Sequence, residues 1–153
     1  SHAGMWDGDI LNWPRIYMTQ AAISGHHYTT VDLGVLAKLS RIVIWDYPEY
    51  YNGRTYYYKG NLKEFEIWGS DNPPADGSWN NWHLLGAYNA TKPSGLPFGQ
   101  QSDEDYQTAV NGFNWEFDID APKARYIRIK STKNWDGSSY MAIGEIQAYG
   151  DPR

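Results

Sequence analysis

The stretch Ala124-Arg125-Tyr126-Ile127-Arg128-Ile129-Lys130 has a two-residue period of apolar side chains. Because successive side chains of a β-strand point to opposite faces, Ile127 and Ile129 share one face, and Arg128 lies on the other. Short alternating or β-branched segments of this kind recur between clusters of turn residues, and no helical period persists over about ten residues. The sequence therefore predicts an all-β fold.

The predicted strands lie near residues 15–23, 28–33, 41–45, 64–70, 82–88, 112–118, 124–130 and 142–149. Such a set is typical of an eight-stranded antiparallel jelly-roll β-sandwich. The connections 46–63 and 89–111 are long, and long loops are usually functional or disordered. Their aromatic content argues against disorder, so we expect them to carry function.

Composition excludes several classes of protein. The 153 residues suit one domain, 1–153, and we expect it to be a module excised from a larger multidomain protein. The net charge of -5 lacks the basic footprint of a nucleic-acid binder. Without cysteine, the chain offers no disulfide, no thiolate nucleophile and no cysteine zinc site.

Hydropathy points to a protein that does not insert into membranes, since no apolar run approaches the 18 or so residues that span a bilayer. We expect an extracellular or bacterial cell-surface location, with the signal and anchor outside this fragment. The isolated domain is expected to be a monomer.

The aromatic load is high, with 8 Trp, 13 Tyr and 4 Phe, and many of these rings fall in polar, glycine-rich stretches. Flat rings stack on the apolar faces of sugars, while amides and guanidinium groups bind the hydroxyls. We therefore predict a carbohydrate-binding site in two loops. Its residues are Asn134, Trp135 and Tyr140 from one loop, and Tyr50, Tyr51 and Arg54 from the other.

The two ends of the chain carry oxygen ligands. Asp7, Asp9 and Asn12 surround a glycine near the start, and Glu145 follows Gly144 near the end. A hard cation such as calcium takes six to eight oxygens, and a loop that mixes carboxylates with carbonyls supplies them. The alternative is that Asp-Gly-Asp is only a turn, since both residue types favour turns.

The segments Asp7-Gly8-Asp9, Val31-Asp32-Leu33-Gly34, Phe65-Glu66-Ile67-Trp68-Gly69-Ser70, Ala124-Arg125-Tyr126-Ile127-Arg128-Ile129 and Gly144-Glu145-Ile146 follow one another in this order. Together they resemble the coagulation factor 5/8 type C, or discoidin, superfamily of galactose-binding-like domains. Within it, the chain resembles the C-terminal domains of surface lipoproteins from polysaccharide-utilisation systems and, more distantly, family 32 carbohydrate-binding modules. The resemblance implies a jelly-roll sandwich, a structural calcium and glycan-binding loops.

Carried over from that superfamily, the calcium ligands are the side chain of Asp7, the carbonyl of Asp9, an oxygen of Asn12, the carbonyl of Gly144 and the side chain of Glu145. The resemblance favours the cation over the simple turn. Asn12 is a departure that weakens this assignment, since the family usually has threonine there.

Other features have ordinary structural interpretations. Tyr56-Tyr57-Tyr58 is predicted to be an exposed strand edge, and Trp82 is predicted to belong to the core. The adjacent histidines 26 and 27 are expected to be structural. The acidic run Asp103-Glu104-Asp105 is predicted to be a solvated loop.

Catalysis is not expected. The sequence has no Gly-x-Ser-x-Gly elbow, no His-Glu-x-x-His and no phosphate-binding glycine loop, and its acidic runs do not suggest a glycosidase pair. We predict a non-catalytic module that binds an oligo- or polysaccharide. The alternatives are a discoidin module for protein interaction or adhesion, and an accessory domain of a glycoside hydrolase of the chitobiase type.

Overall fold

The computed structural model describes residues 8–13, 17–18, 27–50, 53–137 and 141–153. Of the residues named above, Asp7, Tyr51 and Tyr140 lie outside the described residues, as does His26. The described segments form antiparallel strands and one helix. In chain order these elements are β1 Gly8–Trp13, β2 Tyr17–Met18, β3 His27–Asp46, β4 Glu49–Tyr50, β5 Arg54–Thr55, β6 Leu62–Ser70, β7 His83–Asn89, α1 Asp103–Asn111, β8 Phe113–Glu116, β9 Ala124–Asn134 and β10 Ala142–Asp151.

The predicted strands from residue 64 onward correspond to β6, β7, β8, β9 and β10. The two predicted strands at 28–33 and 41–45 are instead parts of one long strand, β3. Of the predicted strand at 15–23, residues 17–18 form β2, and the rest lies outside the described residues.

Strand β3 joins the two layers of the sandwich. Its first part pairs with β9, with Thr29 opposite Ile129, and its second part pairs with β8 and β10. The register shifts between Asp32 and Ala37, where Gly34 adopts a φ of 80° and donates its N–H to the Asp32 carboxylate at 2.8 Å. Glycine reaches this left-handed conformation without steric cost, so the chain bends here and passes from one layer to the other.

The strand order is β1-β10-β3-β9-β6-β7, with β2 beside β10 and β8 beside β3, and β4 and β5 form a separate hairpin. Inward side chains of these strands form one hydrophobic core. Ile127 and Ile129 are fully buried in it, as the two-residue period predicted, and Ile67 is fully buried beside them. Each buried aliphatic side chain of this size stabilises the fold by about 1.5–3 kcal/mol.

A helix replaces the predicted acidic loop, so that prediction was wrong. The Ser102 hydroxyl accepts the Asp105 N–H at 3.1 Å, and the Asp105 carboxylate accepts the Ser102 N–H at 2.9 Å. This reciprocal pair is a capping box, and acidic residues in a first turn also favour the helix through its dipole. Asp105 is fully buried.

The two ends of the described chain lie side by side. Strand β1 pairs antiparallel with β10, with Asp9 opposite Tyr149 and Asn12 opposite Gln147. Backbone hydrogen bonds therefore hold the N-terminal strand against the last strand.

Candidate functional site

Two loops meet at one end of the sandwich, where β9 ends and β6 and β10 begin. The backbone N–H of Trp135 donates to the Lys59 carbonyl at 3.1 Å, and that of Ala142 donates to the Gly60 carbonyl at 2.8 Å. These contacts join Lys59 and Gly60, which follow β5, to Trp135 after β9 and to Ala142 at the start of β10. The two predicted groups of binding residues lie in these parts of the sequence.

A second, aromatic core lies beneath these loops. Tyr57 is fully buried, Tyr56 nearly so, and the Tyr57 hydroxyl donates to the Asp105 carbonyl at 2.9 Å. Burial, followed by the charge of Asp105, raises the pKa of Tyr57. The predicted exposed strand edge was therefore wrong: Tyr57 has a φ of 56°, which turns the chain out of an extended conformation.

The indole of Trp135 is half-buried and held in place. Its Nε1 donates to the Leu62 carbonyl at 3.2 Å, and its ring packs edge-on against Tyr57 with 5.4 Å between centroids. The Lys63 ammonium lies 4.8 Å from the ring centroid. The neighbouring Asn134 is fully buried, so it supports the loop and does not face solvent.

An open cleft of about 500 Å³ lies beside this indole. We call it the Trp135 cleft. Its lining includes Lys63, Glu64, Asn89, Thr91, Lys92 and Trp135. The volume is within the usual range for small-molecule sites, and the lining combines one aromatic surface with hydrogen-bond donors and acceptors.

The segment after Lys92, which lines the Trp135 cleft, is hydrogen-bonded to α1, since the Ser94 N–H donates to the Asp105 carboxylate at 2.9 Å. Lys92 is 7% exposed, and its ammonium donates to the Pro97 carbonyl at 3.2 Å. Burial lowers the pKa of Lys92, against the opposing charge of Asp105. Burial also raises the pKa of Asp105, but hydrogen bonds from Ser94 and Ser102 outweigh it and hold that pKa below its usual value.

The hairpin β4–β5 presents the other predicted residues. Tyr50 is 74% exposed and lies opposite Arg54 in the register. The Arg54 guanidinium donates to the Tyr56 hydroxyl at 3.0 Å, and the Gln101 amide donates to the Arg54 carbonyl at 2.9 Å. Arg54 is thus anchored, whereas the Tyr50 ring is open to solvent.

A smaller cleft of about 250 Å³ lies beside this hairpin, and Arg54, Asp46 and Glu145 contribute to its lining. Asp46 is 6% exposed, and its Oδ2 has no hydrogen-bond partner among the described residues. Burial raises the pKa of Asp46 to about 8, against a hydrogen bond from the backbone of Leu62. Sequence reasoning missed this residue because an aspartate between a strand and a long loop is typical of a turn.

The residues proposed for calcium are only partly brought together. Asn12 pairs with Gln147, two positions along β10 from Glu145, whereas Asp9 pairs with Tyr149, two positions further. At about 3.4 Å per residue, the Asp9 register position is roughly 14 Å from that of Glu145. Position 12 therefore lies nearer to Glu145 along the sheet than Asp9 does. No group of three acidic, histidine or cysteine residues in the described part of the chain is arranged to hold a metal.

Another group of aromatic rings packs around the buried Arg128 on the outer face of β9. The Arg128 guanidinium lies 4.6 Å from the ring centroids of Tyr28 and Trp79 and 4.2 Å from that of Trp82, and it donates to the Ser78 carbonyl at 3.0 Å. Trp82 is buried, as predicted. Arg128 is also buried, although strand alternation placed it on the face opposite Ile127 and Ile129, because the 71–82 loop folds over that face.

A family model for a domain of unknown function, DUF5000, matches residues 6–150. The chain belongs to the DUF5000 family. A comparison with curated proteins gave no match.

Solved structures share the fold of this DUF5000 domain. A SusE-like protein is 37% identical with a TM-score of 0.74; the match covers 82% of this chain and 47% of the other, so the chain spans about half of that protein. CBM32-3 from a family 31 glycoside hydrolase of Clostridium perfringens is 18% identical, with a TM-score of 0.62 and coverage of 90% and 76%. The family 32 module of C. perfringens NanJ, solved with galactose, is 16% identical, with a TM-score of 0.57 and coverage of 89% and 77%.

These likenesses confirm the antiparallel β-sandwich and the resemblance to galactose-binding-like domains. Sequence reasoning did not identify Lys63, Asn89, Thr91 or Lys92 of the Trp135 cleft. The strand and loop carrying these residues have no special composition, and only the fold brings them to Trp135. Among the described residues, no helix is long and apolar enough to cross a bilayer.

Proposed function

We propose that this DUF5000 domain is a non-catalytic carbohydrate-binding module that works at the bacterial cell surface and holds its glycan in the Trp135 cleft. The observation that carries the proposal is the indole of Trp135, fixed by the Leu62 carbonyl and half-exposed at the edge of an open cleft whose lining includes hydrogen-bond donors and acceptors. The likeness to a SusE-like protein and to family 32 modules supports it.

The physical basis is stacking combined with hydrogen bonding. A pyranose ring presents apolar C–H groups to an indole face, while its hydroxyls bind the exposed amide of Asn89 and the exposed hydroxyl of Thr91. Because the Trp135 side chain is already held by a hydrogen bond and by Tyr57, little rotamer freedom remains to be lost on binding.

The hairpin supplies a second contact in this proposal. Tyr50 is exposed beside the anchored Arg54, and we place Tyr51 and Tyr140 in the same binding surface. Asn134 keeps a role in the site as a support for Trp135, since it is fully buried. An extended glycan then contacts both loops.

The absence of turnover is part of the proposal. Glycosidases use two carboxyl groups that face each other across the sugar. Among the described residues that line the Trp135 cleft, Glu64 is the one carboxylate. A single carboxylate is suited to accepting hydrogen bonds from hydroxyl groups.

We also retain calcium as a proposed structural ion between the chain ends. Gly144 and Glu145 lie on β10 close to the register position of Asn12, and Asp7 and Asp9 are proposed to complete the set. In this role the ion adds stability and takes no part in sugar contact.

A glycan array tests the proposed function. The domain is applied with and without chelator, beside the Trp135→Ala variant, whose fold is checked by circular dichroism. We expect wild-type protein to bind a defined set of glycans and the variant to lose that set. Binding to no glycan on the array would contradict the proposal.

A further inference from the structure

We infer that the Trp135 cleft selects glycans that carry a negatively charged group, a carboxylate or a sulfate, and that the Lys63 ammonium contacts this group. This inference rests on the proposed function, because it names the class of sugar held in the same cleft. The protein as a whole has a net charge of -5. Nevertheless, two lysines, Lys63 and Lys92, line this one cleft.

Lys63 is the direct contact. Its ammonium lies 4.8 Å from the centroid of the Trp135 ring, and no described residue forms an ion pair with it. A lysine ammonium has three donors and no acceptor. The Trp135 ring contacts one side of the Lys63 ammonium, so the N–H donors on its other side are available to a ligand that stacks on the same indole.

Lys92 adds positive charge behind this contact. It is buried, with one hydrogen bond to the Pro97 carbonyl and the Tyr57 ring centroid 5.7 Å from its ammonium. A buried ammonium is unfavourable unless it is well paired, so an anion in the cleft favours its charged form. Because Lys92 also holds the 92–97 turn, its substitution would disturb the structure. Lys63 is therefore the residue to substitute in the test.

Glu64 lines the same cleft and opposes an anion. The charge of Asp105 opposes that of the buried Lys92. The preference for a negative ligand therefore depends on Lys63, whose ammonium lies against the Trp135 ring. The Glu64 carboxylate accepts hydrogen bonds from sugar hydroxyls, which orients a charged sugar with its anionic group toward Lys63. A free anion without hydroxyls lacks this contact and binds less well than an acidic sugar.

Matched pairs of polysaccharides separate charge from sugar identity. Polygalacturonate is compared with its carboxyl-reduced form, and carrageenan with its desulfated form, by calorimetry at low salt, where charge contacts are least screened. We expect the charged member of at least one pair to bind about tenfold more tightly, the effect of one charge-assisted hydrogen bond. The pair that shows this difference identifies carboxylate or sulfate as the recognised group.

Three variants locate the effect. Lys63→Gln is expected to remove the preference for the charged member while keeping residual binding to both members. Lys63→Arg keeps the charge and is expected to keep the preference. Lys123→Gln makes the same change of net charge at the opposite end of β9, where Lys123 donates to the Arg153 carbonyl, and is expected to behave like wild type.

The outcomes distinguish this inference from the proposed function. Equal affinity of wild type for both members of each pair, or equal losses in Lys63→Gln and Lys123→Gln, would overturn the charge selectivity and leave glycan binding in place. A domain that binds none of these polysaccharides, and no neutral glycan on an array, would overturn both. Circular dichroism of each variant verifies the fold.

Discussion

The indole N–H of Trp135 donates to the carbonyl of Leu62, 73 residues earlier in the chain, at 3.2 Å. This bond fixes the ring at the junction of β9 and β6 while leaving the side chain half-exposed. A ring held in this way is prepared for a ligand before the ligand arrives. The buried aromatic residues beneath it are therefore expected to affect binding as well as stability.

Tyr57 is one such support. Its hydroxyl donates to the Asp105 carbonyl, so Tyr57→Phe removes one buried hydrogen bond and leaves a buried carbonyl with one partner fewer. We expect a loss of about 1–2 kcal/mol in the free energy of unfolding, measured by urea denaturation. Tyr50→Phe, on an exposed side chain, is the control and should stay within about 0.5 kcal/mol of wild type. Equal losses in both variants would contradict this role.

The capping box of α1 predicts a second stability effect. Ser102→Ala removes the hydroxyl that accepts the Asp105 N–H, and should lower the free energy of unfolding by about 1 kcal/mol. Gln107→Ala, exposed in the middle of the same helix, should be neutral or slightly stabilising because alanine is the better helix former. Chemical denaturation of both variants provides the comparison. A Ser102→Ala variant as stable as wild type would exclude a role for the cap.

Asp105 predicts a dependence of stability on pH. Burial raises its pKa, but hydrogen bonds from Ser94 and Ser102 outweigh burial, so its folded pKa lies below the ordinary 3.8. A carboxyl whose pKa is depressed on folding contributes stability that is complete above its unfolded pKa and is lost as the pH falls through the folded value. Asp105→Asn should therefore cost stability near neutral pH, and the difference from wild type should shrink in acid.

Melting curves of wild type and variant between neutral and strongly acidic pH measure this difference. Asp103→Asn, on an exposed side chain in the same first turn, is the matched control: it removes a contact with the helix dipole but no hydrogen bond to Ser94 or Ser102, so it should cost less stability at neutral pH than Asp105→Asn. A difference between wild type and Asp105→Asn that grows as the pH falls would have the wrong sign for this account.

Much of the fold was predictable because burial on one face imposes a two-residue period. Ile127 and Ile129 show that period in the sequence and are fully buried in the structure. The helix α1 was missed because its capping signal, Ser102 followed by Asp105, lies in an acidic segment typical of a solvated loop. The predicted strand at 28–33 ends before Gly34. In the structure Gly34 has a positive φ that bends one continuous strand, β3.

The candidate site was less predictable, since it depends on contacts between residues far apart in the chain. Trp135 was predicted from its turn neighbours, but those neighbours gave no sign of Lys63 or Lys92. Asn134 was predicted to meet the ligand because amides bind sugars, yet it is the last residue of β9 and is fully buried. Pairing of β9 with β6 decides both results, and no local pattern encodes it.

If calcium stabilises the fold as proposed, removing it with a chelator should lower the melting temperature. A ligand that binds only the native state adds RT ln(1 + [L]/Kd), about 2.7 kcal/mol when its free concentration is a hundred times Kd. Adding chelator should therefore lower the melting temperature of wild type, and Glu145→Ala should abolish that sensitivity. Glu116→Ala, on β8, should retain it. A wild-type melting temperature that is the same with and without chelator would leave Asp7-Gly8-Asp9 as a turn.

Calorimetry of Trp135→Ala with the tightest-binding glycan from the array tests the central claim, that the Trp135 cleft holds the sugar. Loss of one stacked ring should cost on the order of 1–2 kcal/mol, so the affinity is expected to fall about tenfold or more. Trp135→Phe keeps an aromatic face and should bind with intermediate affinity. Circular dichroism and the melting temperature establish that both variants are folded. Unchanged affinity in a folded Trp135→Ala protein would contradict the account and place the sugar elsewhere.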